Sequence, residues 1–139
     1  MILRHHIRIP APPEAVWAVL SHVEGWPHWT PTVTAARALD GPALAPGRRF
    51  AVKQPLQRER VWTVTEAGPG LAFRWRTEGG SGFEAGHRVE PDGHGGCIAR
   101  ADLIPLGRLR AAFLPLRPIL RGALAAEAKG LRSAFPPRA

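Results

Sequence analysis

Residues 58–90 read RERVWTVTEAGPGLAFRWRTEGGSGFEAGHRVE, which is three apolar segments divided by glycine. Apolar and polar side chains alternate within 58–66, 71–77 and 83–90, as in strands that bury one face. Only a few turn residues separate one segment from the next. Connections this short join antiparallel neighbours, whereas parallel strands need a crossover of about a dozen residues or more. The stretch therefore predicts an antiparallel meander.

The meander extends beyond this stretch in both directions. Alternation and flanking turn residues predict further strands at 32–39, 48–54 and 97–104, which gives six strands without an intervening helix. Residues 3–9 predict one more strand, because Ile7 and Ile9 fall on the face opposite Arg8. The chain thus carries seven predicted strands.

Short helical segments are predicted between the first strand and the meander. The prolines within 10–13 suit a first helical turn, where a missing N–H would be unpaired in any case. A short helix follows, with an apolar side made of Val16, Trp17, Val19 and Leu20. Residues 26–31 are too rich in proline for a long helix and predict a turn or a single helical loop.

The end of the chain changes to a helical period. Apolar residues recur at steps of three or four from Leu106 to Phe135, at Phe113, Leu116, Leu120, Leu124, Leu131 and Phe135. Arg117, Arg121, Lys129 and Arg132 occupy the other side. This pattern predicts a long amphipathic helix, kinked or begun afresh around Pro115 and Pro118.

Composition excludes several classes of protein. The chain has 139 residues, 45% of them hydrophobic and 22% charged, which fits one domain spanning residues 1–139. Neither a membrane-spanning run nor a signal peptide is visible, so we expect a cytoplasmic location. Six scattered histidines and the single Cys97 give no metal-ligand spacing, and we expect no metal or cofactor.

The basic excess is concentrated at one end of the chain. The net charge is +8, from 19 Lys and Arg against 11 Asp and Glu. Residues 103–139 hold seven basic residues and one acid, Glu127, and so carry +6 of it. A solvated helix face explains this charge, and an anionic partner is the alternative. No helix-turn-helix, RRM or KH signature accompanies it.

The residues and their order resemble a known superfamily. The opening Ile7-x-Ile9-x-Ala11-Pro12-x-Glu14-x-Val16-Trp17-x-x-Leu20, followed by Trp26-Pro27-x-Trp29-x-Pro31-x-Val33, is similar to that of the SRPBCC (START-like, polyketide cyclase/dehydrase-type) proteins. Gly47-x-x-Phe50, Val64-x-Glu66-x-x-Pro69-Gly70, Leu71-x-Phe73-x-Trp75 and Gly86-His87-x-Val89 fit the same pattern. The resemblance covers almost the whole chain.

This resemblance implies an α+β helix-grip fold. A curved seven-stranded antiparallel sheet would wrap around the long C-terminal helix, with two short helices after the first strand. The superfamily leaves an apolar cavity between sheet and helix, so the resemblance implies a hydrophobic or amphipathic ligand such as a lipid, quinone or polyketide-like molecule. Fold alone does not name the ligand.

Strand alternation predicts which side chains face that cavity. With Phe73 and Trp75 pointing inward, Arg74 and Arg76 point to solvent, and by the same rule Arg100 and Asp102 are exposed unless the last strand is shifted by one residue. Together with the helix pattern and the loop at Trp29, this gives a candidate ligand-binding set of Trp29, Phe50, Val52, Gln54, Trp62, Phe73, Trp75, Phe83, His87, Leu103, Phe113 and Leu120. The alternative is that the aromatic residues fill a closed core.

His87 is the candidate catalytic residue. A histidine deep inside the grip suits proton transfer or hydrogen bonding to a ligand carbonyl. The alternative is a buried histidine satisfied by a neighbour. No carboxylate is securely placed inside by the sequence, and tyrosine, on which several catalytic members of the superfamily rely, is absent.

Three functions remain open from the sequence. The first is a binding protein for a small hydrophobic molecule, and the second is a polyketide cyclase or dehydratase that uses His87. The third is an interaction module for RNA, the ribosome or an anionic membrane, acting through the basic C-terminal helix. The protein is expected to be a monomer or a homodimer.

Overall fold

A computed structural model describes residues 1–137 as one curved sheet and two α-helices. The strands are β1 (Leu3–Ile9), β2 (Ala35–Ala38), β3 (Arg49–Lys53), β4 (Arg60–Ala67), β5 (Leu71–Thr77), β6 (Gly82–Pro91) and β7 (Cys97–Leu106). The helices are α1 (Pro13–Leu20) and α2 (Phe113–Ser133), with 3₁₀ turns at Val23–His28 and Gly107–Arg110. No helix in this described part is long and apolar enough to cross a membrane.

The seven strands form a single antiparallel sheet. Their spatial order is β1-β7-β6-β5-β4-β3-β2. The strand β1 therefore pairs with the last strand of the meander, β7, and forms one edge of the sheet. That edge pairing runs from Ile9 opposite Cys97 to Leu3 opposite Leu103. The helix-grip architecture predicted from the sequence is confirmed.

The ends of two predicted segments differ from expectation. The strand expected at 32–39 is shorter, because the Thr30 hydroxyl accepts a hydrogen bond from the Thr32 backbone N–H and holds the chain in a turn. At the other end β7 continues to Leu106, and Gly107, with a φ of 59°, opens a 3₁₀ turn before α2. The final helix therefore begins afresh at Phe113 and runs on past Pro118.

The concave face of the sheet carries the core. Phe50, Val64 and Phe73 are almost completely buried on this face, as the alternation predicts. Trp17 of α1 packs edge-on against Phe73, with ring centroids 6.2 Å apart. The indole N–H of Trp26 donates to the Leu20 carbonyl at 2.9 Å, which fixes the first 3₁₀ turn against the end of α1.

The convex face carries an ion network that the sequence did not predict. Arg74 was expected to face solvent, but its guanidinium lies across Gly86 and bonds both oxygens of Asp102 at 2.8 Å. The same group bonds Glu84, also at 2.8 Å. Arg74 and Asp102 are consequently only 28% and 23% exposed, because a glycine between them leaves room for the ion pair to lie flat on the sheet. Arg100 is exposed as predicted.

Candidate functional site

A cavity of about 100 Å³ lies between the concave face of the sheet and α2. Its walls on the sheet side are mostly aromatic, and α2 covers them with aliphatic side chains one turn apart. The lining includes Trp26, Trp62, Trp75 and Phe83 on one side and Leu120, Ala123 and Leu124 on the other. An apolar enclosure of this kind, with a few polar groups, is typical of small-molecule sites.

The aromatic wall is built of rings in direct contact. The ring centroids of Trp62 and Trp75 are 5.1 Å apart, and those of Trp26 and Trp75 are 5.3 Å apart. Tilted aromatic pairs at this separation attract each other beyond their buried area. The Nε1–H of Trp62 is buried without a hydrogen-bond partner within residues 1–137. The wall is thus rigid and holds one unpaired donor.

Two titratable side chains, one from the sheet and one from α2, lie close together in the cavity. His87 on β6 and Glu127 on α2 both line the cavity, and Nε2 of His87 lies 3.6 Å from Oε1 of Glu127. His87 stacks on Phe73, with 5.2 Å between the ring centroids, and Trp26 meets its edge. The imidazole plane is therefore held by two aromatic neighbours while Nε2 faces the carboxyl.

Burial shifts the pKa values of this pair in opposite directions. It raises the pKa of Glu127 to about 7 and lowers the pKa of His87 to about 4, since both charged forms lose their hydration. Of the charged neighbours, Asp102 raises the pKa of His87 and Arg74 lowers it. Asp102 is also among the residues that line the cavity. Near neutral pH the imidazole is uncharged and the carboxyl is partly protonated, so the site combines an acceptor with a proton donor.

Other titratable groups near the pair are few. His5 of β1 borders a smaller cavity of about 20 Å³ that also touches His87 and Glu127. Across residues 1–137, no three His, Cys, Asp or Glu side chains come together as a metal site. Cys97 is completely buried, and burial raises the pKa of its thiol, which fits a core residue better than a nucleophile.

Comparison with known proteins places the chain in a family. A family model described as polyketide cyclase / dehydrase and lipid transport matches residues 2–135. The chain belongs to this family. Its SRPBCC (START-like) character, expected from the sequence motifs, is confirmed. No curated protein matches the chain.

Solved structures of the same fold include family-like proteins from several organisms. A START superfamily protein from Mycobacterium smegmatis has a TM-score of 0.77 at 16% identity, and the match covers 96% of each chain. A protein from Thermus thermophilus has a TM-score of 0.75 at 19% identity, with 97% of each chain covered. Norcoclaurine synthase from Thalictrum flavum, in complex with dopamine and hydroxybenzaldehyde, has a TM-score of 0.72 at 14% identity, with 96% of this chain and 85% of that chain covered.

Eight of the twelve predicted ligand-binding residues line the cavity in the structure. The residues that line it are Val52, Gln54, Trp62, Trp75, Phe83, His87, Leu103 and Leu120. That these residues bind a ligand stays a prediction.

Four predicted residues lie elsewhere, each covered by a neighbour. Phe50 and Phe73 point inward but stand behind Trp75, with centroid distances of 6.0 and 5.2 Å. Trp29 lies against Trp26, 5.5 Å between the rings, and Phe113 packs in a separate cluster with Leu3 and Leu124. Alternation gives the side of the sheet on which a residue lies, but not the layer of side chains that reaches the cavity.

Glu127 is the functional candidate that the sequence analysis missed. The sequence analysis placed no carboxylate securely inside, whereas in the structure Glu127 enters the cavity from α2. A signal was present: Leu120, Leu124 and Leu131 define the apolar stripe, and position 127 falls on that same stripe. Trp26, Thr32, Val33 and Gln57 also line the cavity without having been predicted there.

Proposed function

We propose that the protein binds a small hydrophobic or amphipathic molecule in the cavity between the sheet and α2. The observation that carries the proposal is a cavity with an aromatic wall, covered by a helix, that holds the carboxyl–imidazole pair of Glu127 and His87. Apolar walls favour a ring or chain that leaves water, and a few polar groups fix its orientation. Family membership supports the same class of ligand.

The size of the cavity narrows the ligand. About 100 Å³ is below the roughly 150 Å³ of a cavity known to hold benzene, and well below the roughly 300–1,000 Å³ of common ligand pockets. A single ring or the end of a chain would enter with a small movement of Leu120 or Leu124. A whole lipid, quinone or polyketide would require α2 to move away from the sheet. Compact ligands are therefore the first to test.

A pair of neighbouring substitutions on α2 tests whether the cavity is the binding site. Ala123 lines the cavity, whereas a side chain at Gly122 would meet no atom within 4 Å. Ala123→Leu should fill the space and abolish binding, and Gly122→Leu, the matched control, should leave binding unchanged. Binding is measured by tryptophan fluorescence and native mass spectrometry with phenol, hydroxybenzaldehyde, dopamine and medium-chain fatty acids.

Two results would contradict the proposal. One is a protein that purifies empty and binds none of these probes. The other is a probe that binds equally well to the unaltered protein and to Ala123→Leu, because its site would then lie outside the cavity.

The carboxyl–imidazole pair supports a second candidate function, an enzyme that transfers a proton. Glu127, with its pKa near 7, would act as the acid or base, and neutral His87 would orient it at 3.6 Å. General acid–base catalysis is typically worth about a hundredfold or more in rate. The cyclisation and dehydration reactions associated with the family need such a group.

The enzymatic candidate is tested by isosteric variants. With a cyclisation or dehydration substrate identified by screening, Glu127→Gln should lower kcat by about a hundredfold and leave the affinity for the compact probes nearly unchanged. The pH profile of kcat should lose the limb near pH 7 in the same variant. Full activity of both Glu127→Gln and His87→Asn would remove the pair from the chemistry and leave binding as the function.

A further inference from the structure

The exposed large hydrophobic residues gather at one end of the molecule. Within residues 1–137 they are Met1, Ile2, Leu56, Leu114 and Ile119. Met1 and Ile2 precede β1, Leu56 lies in the connection between β3 and β4, and Leu114 and Ile119 lie in the first two turns of α2. The antiparallel register puts the start of β1, the end of β7 and the β3–β4 connection at the same end of the sheet along the strand direction. We call this end of the molecule the docking end.

Leu56 is unusual in both exposure and backbone. Its side chain is fully exposed, and its φ of 62° lies in the left-handed region, which a bulky side chain rarely adopts. Holding a leucine this way strains the backbone, and such strain collects at functional sites. Folding gains nothing from presenting this side chain to water.

The start of α2 presents a second apolar surface beside the first strand. Leu114 is 72% exposed and Ile119 is 68% exposed on the outer side of the helix, away from the core. Ile2, Phe113 and Leu114 border an open groove of about 610 Å³ together with Arg110 and Arg117. Aliphatic side chains and arginines thus alternate on one surface.

The charge of the docking end is strongly positive. Arg108, Arg110, Arg117 and Arg121 are all exposed, and no Asp or Glu occurs between residues 103 and 126. Arg58 adds a further exposed cation beside Leu56. Of the nearby acids, Glu59 is paired with Arg37 at 3.4 Å, which leaves Glu78 as an exposed acid on the β5–β6 turn. Positive charge therefore surrounds exposed aliphatic side chains.

We propose that the docking end binds the surface of an anionic lipid bilayer. Leucine and isoleucine would enter the boundary between headgroups and acyl chains, and the arginines would contact lipid phosphates. RNA fits this surface less well, because single-stranded RNA is bound by exposed aromatic rings, and none of the exposed large hydrophobic residues is aromatic. This docking does not depend on which ligand occupies the cavity.

Vesicle flotation tests the proposal with the full-length chain. The protein should float with vesicles of phosphatidylcholine mixed with phosphatidylglycerol and remain in solution with phosphatidylcholine alone. Raising the salt concentration should weaken the binding, because the phosphate contacts are screened. Vesicles that carry no cavity ligand are used, so that the result is separate from ligand binding.

Two sets of variants separate the apolar contribution from the charge. Arg117→Gln should lower the vesicle partition coefficient about fivefold, equivalent to about 1 kcal/mol for one arginine. Arg132→Gln changes another exposed arginine, near the other end of α2, and is the matched control, which should have little effect. Leu56→Ser combined with Leu114→Ser should lower the partition coefficient at least about tenfold, at unchanged thermal stability.

Four outcomes of the vesicle experiments would overturn the proposal. They are failure to float with anionic vesicles, equal flotation with neutral vesicles, equal effects of Arg117→Gln and Arg132→Gln, and a Leu56–Leu114 variant that floats normally. Stable dimerisation that the two serine substitutions abolish would assign the surface to a second copy of the chain instead. Stronger binding to RNA than to anionic vesicles at the same salt concentration would likewise overturn it.

Discussion

The pair formed by Glu127 and His87 gains its properties from burial rather than from an ion pair. With pKa values near 7 and 4, there is no pH at which both groups are mainly charged in the folded protein. A neutral pair in an aromatic cavity avoids the desolvation cost of two buried charges. Below about pH 7 it also leaves a proton on the carboxyl of Glu127.

This pairing predicts how folding stability depends on pH. Between about pH 4.5 and 6.5, folding moves one proton from His87 to Glu127 and leaves the total number of bound protons unchanged. The raised pKa of Glu127 makes stability fall as the pH rises from 4.5 to 7. The lowered pKa of His87 makes stability rise from pH 4 to 6.5. The two effects cancel between 4.5 and 6.5, and neither residue alone gives this result.

Substituting one residue of the pair should make the other residue's effect on the pH dependence of stability measurable. In Glu127→Gln only the histidine effect remains, so its free energy of unfolding should rise with pH relative to the unaltered protein, by up to about 1.4 kcal/mol per pH unit between 4.5 and 6.5. Urea unfolding at a series of pH values measures this slope. A difference between the two proteins that stays constant over this range would show that the pair is not shifted by burial as described.

At the scale of secondary structure, α2 carries two glycines with opposite roles. Gly122 faces solvent with no atom within 4 Å of an added Cβ, whereas a Cβ at Gly130 would collide with the carbonyl oxygen of Trp29. Close approach at Gly130 is what seats the helix against the loop after the first 3₁₀ turn. Gly122 contributes only flexibility to the helix.

Alanine substitutions at the two glycines of α2 should change the stability of the protein in opposite directions. Gly122→Ala should stabilise the protein by up to about 1 kcal/mol, because alanine is the better helix former. Gly130→Ala should destabilise it by about 1–3 kcal/mol through overpacking against Trp29. Chemical denaturation of both variants gives the comparison. Equal changes in the two would mean that α2 does not pack on this loop as described.

At the scale of the whole molecule, the fold could be predicted from the sequence because the spacing of apolar residues that specifies each strand and helix involves only neighbouring positions. Alternation in 71–77 and 83–90 and the helical period after 113 each depend on neighbouring residues, and together they specify a sheet gripping a helix. The contacts that make the site are not local. Glu127 meets His87 only after α2 has packed, and Arg74 reaches Asp102 across an intervening strand. The helical period places Glu127 on the inner side of α2, but no period in the sequence predicts which side chain it then contacts.

How deeply a residue lies within the core could not be predicted from the sequence either. Phe73 and Trp75 share one strand and one face, yet only Trp75 lines the cavity, because Trp26 and Trp17 lie over Phe73. Which of the two inward rings lines the cavity depends on what the loop after α1 places above them. The hydrogen bond from the indole N–H of Trp26 to the Leu20 carbonyl helps to hold that loop, and composition and spacing do not predict this contact.

The pairing of β1 with β7 also means that the sheet cannot be completed until the strands between them in sequence have been synthesised. Within residues 1–137, β1 pairs only with β7, which places Cys97 opposite Ile9 and is synthesised after the five strands that lie between them in sequence. The helix α2, which covers the concave face, is synthesised after β7. The aromatic wall is therefore made before the helix that covers it, and it stays open until α2 packs against the sheet.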